Sequence, residues 1–261
     1  MPTLCRHLLG EGPGSASPDV IRVAEARPIA VAATGLSRRY GRRWALTNIG
    51  FEIPRGVLAM VTGRNGSGKS TLLRILATAI RADQGTVRIL GYDVRGDRER
   101  VRERTALLDH HTHLYEPLTA LENLAVVARF LGRDPGREAL LARLDEVGLA
   151  DRGDDCVHTF SAGMRQRLAL ARVLHQEAQL VLLDEPYGHL DPPGFLLVDR
   201  LLQRLQGQGT TVLMATHLLH RGRALCDRGL VLEAGRLVFA GVTADMPDPV
   251  EAGGAGLEEG A

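Results

Sequence analysis

The sequence predicts an α/β protein: an open, mostly parallel sheet with a ligand site at its strand ends, bordered by antiparallel strands and interrupted by a block of helices. Three observations carry this. A glycine-rich loop, Gly63-Arg64-Asn65-Gly66-Ser67-Gly68-Lys69-Ser70, sits between an apolar strand and a helix. A run of four apolar residues, Leu180 to Leu183, ends on two adjacent carboxylates, Asp184 and Glu185. Strand-like runs also return after a stretch with helical spacing of apolar residues, the alternation that builds parallel sheets.

Taken in order, residues 1 to about 27 contain "GEGPGSASPD", and the last stretch from 247 reads "PDPVEAGGAGLEEGA". Both are poor in core-forming residues, so a flexible N-terminal extension (1–27) and a flexible C-terminal tail (247–261) are expected. "IAVAATGL" (29–36) and "IGFEI" (49–53), where Ile49, Phe51 and Ile53 alternate with smaller or polar residues, read as strands meandering at the sheet's edge. "VLAMVTGRNGSGKSTLLRILATAI" runs strand, loop, helix, with Leu72, Leu73, Ile75, Leu76 and Ile80 as the buried stripe. "GTVRILGYDV" reads as a strand pair, and "RGDRERVRERT" (95–105), its arginines interleaved with acids, as a solvated helix face. "TALENLAVVARFLG" and "GREALLARLDEVGL" have helical spacing. "LVLLDE" and "TTVLMATH" are strands separated by the helix "PGFLLVDRLLQRLQGQG", which ends on glycine. "RGLVLEAGRLVFAG" closes as a hairpin around Ala234 and Gly235.

Bulk properties narrow the function. With 261 residues the chain can bury a full single-domain core. Aromatic content of 4% argues against a surface for stacking bases, and a formal net charge of +1 carries no nucleic-acid footprint, so no nucleic-acid partner is expected. Three cysteines, Cys5, Cys156 and Cys226, are far apart and odd in number, which suits a reducing compartment and supplies neither a disulfide framework nor a zinc pattern. No apolar run approaches the roughly 20 residues of a membrane helix, and the N-terminus has no apolar stretch long enough for a secretory signal. Any membrane role is therefore expected to come through a partner.

The loop at 63–70 fits G-x-x-x-x-G-K-[ST] in the strand-to-helix context that the motif demands. Glycines let backbone N–H groups close around a β-phosphate, the helix N-terminus adds a favourable dipole, Lys69 reaches the β and γ phosphates, and Ser70 ligates Mg²⁺. Gly63 through Thr71 thus form the candidate nucleotide-binding set. Asp184, at the C-terminal end of a buried strand, is placed to hold the Mg²⁺ shell, and Glu185 to polarise the attacking water as general base. His217 ends the next strand, where it can touch a γ-phosphate; a histidine at a strand end is also commonly just solvated.

"FSAGMRQRLALARVL" (160–174) lies immediately before the Asp184 strand. Ser161 can cap the helix, the free N–H groups behind it invite an anion, and Phe160, Met164, Leu168 and Ala171 make a core-facing stripe. At this point the chain resembles the ATP-binding cassette family, over roughly residues 28 to 245. In that family a Ser-Gly-Gly-Gln segment contacts the γ-phosphate of a nucleotide held by a second copy; the matching residues are Ser161, Ala162, Gly163 and Met164. Tyr40 matches the aromatic that stacks on adenine, though edge-strand packing would equally suit it. Asp191, in "GHLD", matches the loop aspartate that communicates between two sites. Ala162 and Met164 depart from the family's glycine and glutamine, which implies a weakened γ-phosphate contact. A methyl group at 162 is tolerable only on a helical backbone.

The resemblance implies a P-loop NTPase (RecA-like) core with an antiparallel β edge subdomain and an inserted α-helical subdomain at about 117–170, in a nucleotide-binding domain spanning 28–246. It implies Mg²⁺ as cofactor with ATP as substrate, a second nucleotide-binding domain, most simply a second copy of this chain, and an integral membrane permease subunit. It also implies a peripheral position on the cytoplasmic face of the inner membrane. A non-transport clamp on ribosomes or DNA fits less well, because such proteins usually join two cassettes or carry long basic segments.

"LLDHHTHLYEPLTALENL" (107–124) places three histidines beside Asp109. His111 and His113 on one face of a strand, with His110 and Asp109 close by, would offer a first-row metal site. The segment lacks the ligand spacing of a recognisable metal motif, so no metal other than Mg²⁺ is expected. In the family frame His110, eight residues before Leu118, occupies the place of a glutamine that touches Mg²⁺ and the attacking water. Imidazole can partly replace an amide oxygen, and unlike glutamine it can become cationic. His110 with "LTALENL" is similar to the haem-exporter ATPase branch associated with cytochrome c maturation; a drug, lipid or polysaccharide exporter is the alternative.

Overall fold

The computed structural model describes residues 27–133 and 136–247. The expected flexible extensions therefore lie, apart from Arg27 and Pro247, outside the described residues. The strands are β1 (Ile29–Tyr40), β2 (Arg43–Pro54), β3 (Leu58–Thr62), β4 (Gln84–Ile89), β5 (Tyr92–Asp93), β6 (Thr105–Leu108), β7 (Leu180–Asp184), β8 (Thr211–Ala215), β9 (Arg228–Glu233) and β10 (Arg236–Val242). The helices are α1 (Lys69–Leu76), α2 (Arg98–Arg104), α3 (Ala120–Phe130), α4 (Arg137–Asp145), α5 (Ala162–His175), α6 (Pro192–Gly207) and α7 (Leu219–Leu225).

A six-stranded sheet in the order β10-β9-β3-β8-β7-β6 forms the centre, parallel throughout except for the β9–β10 hairpin. Its inner strands are buried on both faces, which is why they read as continuous apolar runs. Alternation then divides the core in two. Leu58, Met60, Val181, Leu183, Val212 and Met214 face a cluster with α3, α5 and α6, while Ala59, Val61, Leu180, Leu182, Leu213 and Ala215 face one with α1. The sheet is the shared wall between two cores.

The antiparallel strands depart from the expected edge meander. They form a separate four-stranded sheet, β2-β1-β4-β5, laid over the α1 side through Val31, Leu36, Ile49, Phe51 and Ile53. β1 is too long and too buried for an edge and pairs on both sides. The two sheets meet where the Thr47 N–H donates to the Gly235 carbonyl at 2.7 Å, beside the β9–β10 turn at Ala234 and Gly235.

Local chemistry sets the helix ends. Helix α3 begins with a capping box in which Thr119 Oγ1 accepts from the Glu122 N–H and the Glu122 carboxylate accepts from the Thr119 N–H. Helix α6 begins on Asp191 followed by proline and stops before Gly209, whose φ of +80° is the left-handed C-terminal stop. Helix α1 ends at Leu76 and Thr78 turns left-handed at φ +58°, so Ile80 lies beyond the helix rather than on its stripe. It still packs, half-buried, against the same cluster.

The histidine segment is not a strand. Strand β6 stops at Leu108, and His113 takes φ +51°, which breaks the alternation needed to put His111 and His113 on one face. All three histidines are exposed, and among the described residues no group of three or more His, Cys, Asp and Glu could hold a metal ion.

Candidate nucleotide site

The register brings four strand ends to one level. Val61 pairs with Ala215, Ala215 with Asp184, and Leu183 with Leu108. The loop after β3, the carboxylates ending β7, His217 after β8 and His110 after β6 therefore leave the sheet at one C-terminal edge, where ligands of open α/β sheets bind. A pocket of about 560 Å³ opens there, lined by Tyr40, Arg43, Ala45, Asn65, Gly66, Gly68, Lys69, Ser70, Thr71, His110, Asp184 and Glu185.

Two glycines fix the loop by close approach. Gly63 has φ +141°, and a Cβ there would lie 2.0 Å from the Leu232 carbonyl oxygen; Gly68 has φ +108°, and a Cβ would lie 2.6 Å from that of Ala45. The loop is thereby seated between β9 and β2, and only glycine allows both the conformation and the contact. The Lys69 ammonium donates to the Gly63 and Arg64 carbonyls at 2.8 and 3.3 Å, holding its charge at the mouth of α1. Arg64 is exposed and outside the pocket lining, while Ser67 is buried with its Oγ unpartnered among the described residues.

Asp184 is 3% exposed, and its Oδ2 has no hydrogen-bond partner among the described residues. A buried carboxylate oxygen without a donor is costly, and with the Ser70 hydroxyl in the same pocket it fits a divalent cation with oxygen ligands. Glu185 is a non-glycine residue at φ +51°, an outlier of the kind that concentrates at functional sites. Its Oε2 lies 2.9 Å from His217 Nδ1. With Nδ1 as the donor in this contact, the other ring nitrogen of His217 is turned away from Glu185. His217 joins the site through Glu185 rather than by lining the pocket.

His110 lines the pocket from a loop tied down on each side. Asp109 accepts from Arg74 on α1 through both Nε and Nη2, at 3.0 to 3.1 Å and 2.8 Å, and from the His110 N–H at 2.8 Å. Burial pushes the Asp109 carboxyl up, but the Arg74 hydrogen bonds and charge outweigh it and hold the group below the usual carboxylate range. Farther on, the Arg172 guanidinium donates to the His113 carbonyl at 2.7 Å, and Asn123 bridges to the Tyr115 backbone.

Ser161 caps α5, accepting from the Met164 N–H at 3.2 Å. Ala162 is the first helical residue, the backbone on which a methyl group is tolerated. Ser161, Ala162, Gly163 and Met164 do not line this chain's pocket; Ser161 and Ala162 are exposed, and Met164 packs half-buried on the core. Asp191 caps α6 through the Gly194 N–H and pairs with Arg167 at 3.1 Å. The Gly194 N–H, with help from Arg167, holds its carboxyl below the ordinary value. Tyr40 is 47% exposed with the Arg38 guanidinium 4.8 Å from its ring centroid.

Two site features were not foreseen. Arg43 faces the pocket because the Gly41-Arg42 turn pairs it with Tyr40, and the glycine was the signal for that turn. Gln166 is 6% exposed, and its amide donates to the Pro186 and Glu185 carbonyls at 3.1 and 3.4 Å, joining α5 to the carboxylate loop. Apolar periodicity gives no hint of a buried glutamine.

The family model described as ABC transporter matches residues 46–188. The chain is 39% identical over 218 residues to the daunorubicin resistance ATP-binding protein DrrA3 of Streptomyces coeruleorubidus, covering 83% of this chain and 69% of that protein. It is 38% identical over 231 residues to the aliphatic sulfonates import ATP-binding protein SsuB of Burkholderia pseudomallei, covering 88% and 66%. The chain thus spans about two thirds of these relatives' length. Its fold matches the dimeric post-hydrolysis ATP-binding cassette MJ0796, bound to ADP and Pi, with a TM-score of 0.74 at 26% identity over 82% of this chain and 98% of that one. The phosphate loop, the carboxylates at the strand ends and the family match agree, and the chain belongs to the ABC transporter family as an ATP-binding, ATP-hydrolysing subunit.

Proposed function

We propose that the chain, over 28–246 with a helical insert at about 117–170, drives a membrane exporter, and that the cargo is haem destined for c-type cytochromes. Among the described residues no helix is long and apolar enough to cross a membrane, so cargo passage falls to an integral permease partner. Attachment would use the groove near His110 to Leu124 at the cytoplasmic face of the inner membrane. Two copies would enclose two ATP molecules, each site taking its phosphate loop, Asp184, Glu185 and His217 from one chain and Ser161 and Gly163 from the other. The dimeric MJ0796 cassette supports this arrangement.

In each site Lys69 and the loop N–H groups hold the β and γ phosphates, and Tyr40 offers a face to the adenine. Glu185 takes the proton of the attacking water, and His217, oriented by Glu185, supplies a contact for the γ-phosphate. Ser70, Asp184 and His110 would hold Mg²⁺, which when bound spreads the charge that develops on the transferred phosphoryl group. Glu185→Gln should keep ATP binding, accumulate ATP-bound dimers and lose hydrolysis; undiminished turnover would remove the general-base role.

The haem reading is carried by His110, a pocket residue where the family expects glutamine. The likeness to a daunorubicin resistance protein supports a second reading, export of a drug-like molecule. Deleting the protein and recording the spectra of covalently attached c-type haem separates the two. Loss of c-type cytochromes is expected; normal levels would end the haem reading and leave the ATPase intact.

A further inference from the structure

Glu185 and His217 sit on different segments, and both segments return to one carboxylate on α6. Two residues past Glu185, the Tyr187 side chain is 3% exposed and its hydroxyl donates to Asp199 Oδ1 at 2.8 Å. Four residues past His217, Arg221 on α7 donates through Nη1 to Asp199 Oδ2. The Arg221 guanidinium also lies over the rings of Tyr187 and Phe195, at 5.7 and 5.3 Å, and those rings meet edge to face at 5.5 Å. Asp199 is itself largely enclosed, its side chain 18% exposed. Each of its oxygens serves one segment.

With the contact between Glu185 Oε2 and His217 Nδ1 this makes a closed ring: Glu185, Tyr187, Asp199, Arg221, His217 and back. Closure matters because Glu185 holds a left-handed backbone, which is unfavourable for a non-glycine residue and persists only under restraint. The Ala215 carbonyl, accepting from the Glu185 N–H, and Thr216 Oγ1, accepting from the Leu218 N–H, fix the backbone at the strand ends. Asp199 fixes the two segments where they have left the sheet. Burial pushes the Tyr187 phenol far above its ordinary pKa, so it remains a donor at any working pH.

We infer that Asp199 is a positioning residue for ATP hydrolysis: without touching nucleotide, it sets the alignment of Glu185 and His217 by anchoring Tyr187 and Arg221 together. This rests on the reading of Glu185 and His217 as the groups that act on the attacking water and the γ-phosphate. Misplacement of a general base by a fraction of an ångström slows the chemical step and leaves ground-state binding alone.

The test is steady-state ATP hydrolysis by the purified full chain carrying Asp199→Ala, Asp199→Asn or Tyr187→Phe, with nucleotide affinity and thermal midpoint measured on the same samples. Asp199→Ala should lower kcat on the order of tenfold, with KM and ATP affinity within about twofold of the parent. Asp199→Asn keeps the shape and an oxygen for Tyr187 but loses the charge facing Arg221, so it should fall between. Tyr187→Phe should lower kcat alone and add nothing to Asp199→Ala, because both break one path. Should the alanine variant fail to fold, the asparagine and phenylalanine variants carry the test. A lowered midpoint with full kcat in the folded protein would overturn the inference, as would equal losses in kcat and affinity. Glu185→Gln measured alongside separates the two levels: full turnover there overturns both readings, whereas lost turnover with fully active Asp199 variants overturns this one alone.

Discussion

Single side chains in this molecule act mostly by fixing other groups. The Arg74–Asp109 pair ties α1, which carries the phosphate loop, to the segment that carries His110. Because the folded Asp109 pKa is lowered, the unfolded chain binds more protons at acid pH, and the pair stabilises the fold above the ordinary carboxylate value of about 4. Its contribution is lost as pH falls through the lowered folded value. Arg74→Gln should therefore cost about 1–2 kcal/mol near pH 6, discounted for the partial exposure of the guanidinium, and the gap to the parent should close toward pH 3. Denaturant unfolding at the two pH values checks this; a gap equal at both would assign the loss to packing of the arginine stem.

At the scale of elements, Ser161 offers a separation of stability from catalysis. It caps α5 through one accepted hydrogen bond. Alanine there should cost about 1 kcal/mol, whereas aspartate caps as well as serine and should preserve the thermal midpoint. In the proposed dimer the same aspartate would bring a negative charge against a γ-phosphate. Ser161→Asp is thus expected to fold like the parent and lose most ATP turnover; full turnover would mean that Ser161 meets no phosphate. Elements of this kind were legible in the sequence because their signals are local. The loop at 63–70, the apolar run before Asp184 and the turn at Ala234-Gly235 each depend on a few adjacent residues. The buried Gln166 amide and the path of the histidine loop depend on residues far apart in the chain, and no periodicity encodes them. The antiparallel strands were recognisable as strands, but their sheet membership is decided by which face of α1 they cover.

At the scale of the whole molecule, the two-sided sheet means that the site edge is braced from both cores, with Leu182 facing one and Leu183 the other. Leu182→Ala should remove about 2–5 kcal/mol of stability, read as an earlier cooperative unfolding midpoint. Helix α5 has Ser161 at its exposed tip and Gln166 on the carbonyls of Glu185 and Pro186. In the proposed dimer, a helix with one end at the neighbour's nucleotide and its flank on the Glu185 loop would make the two sites report to each other. Turnover would then not follow a simple saturation curve: at low ATP the rate should climb faster than the concentration, with a Hill coefficient rising from one toward about two, the number of sites. A hyperbolic curve from a protein shown to be dimeric under the assay conditions would mean that α5 holds the loop without relaying occupancy. One glutamine on two carbonyls would then set the order of the rate law in ATP.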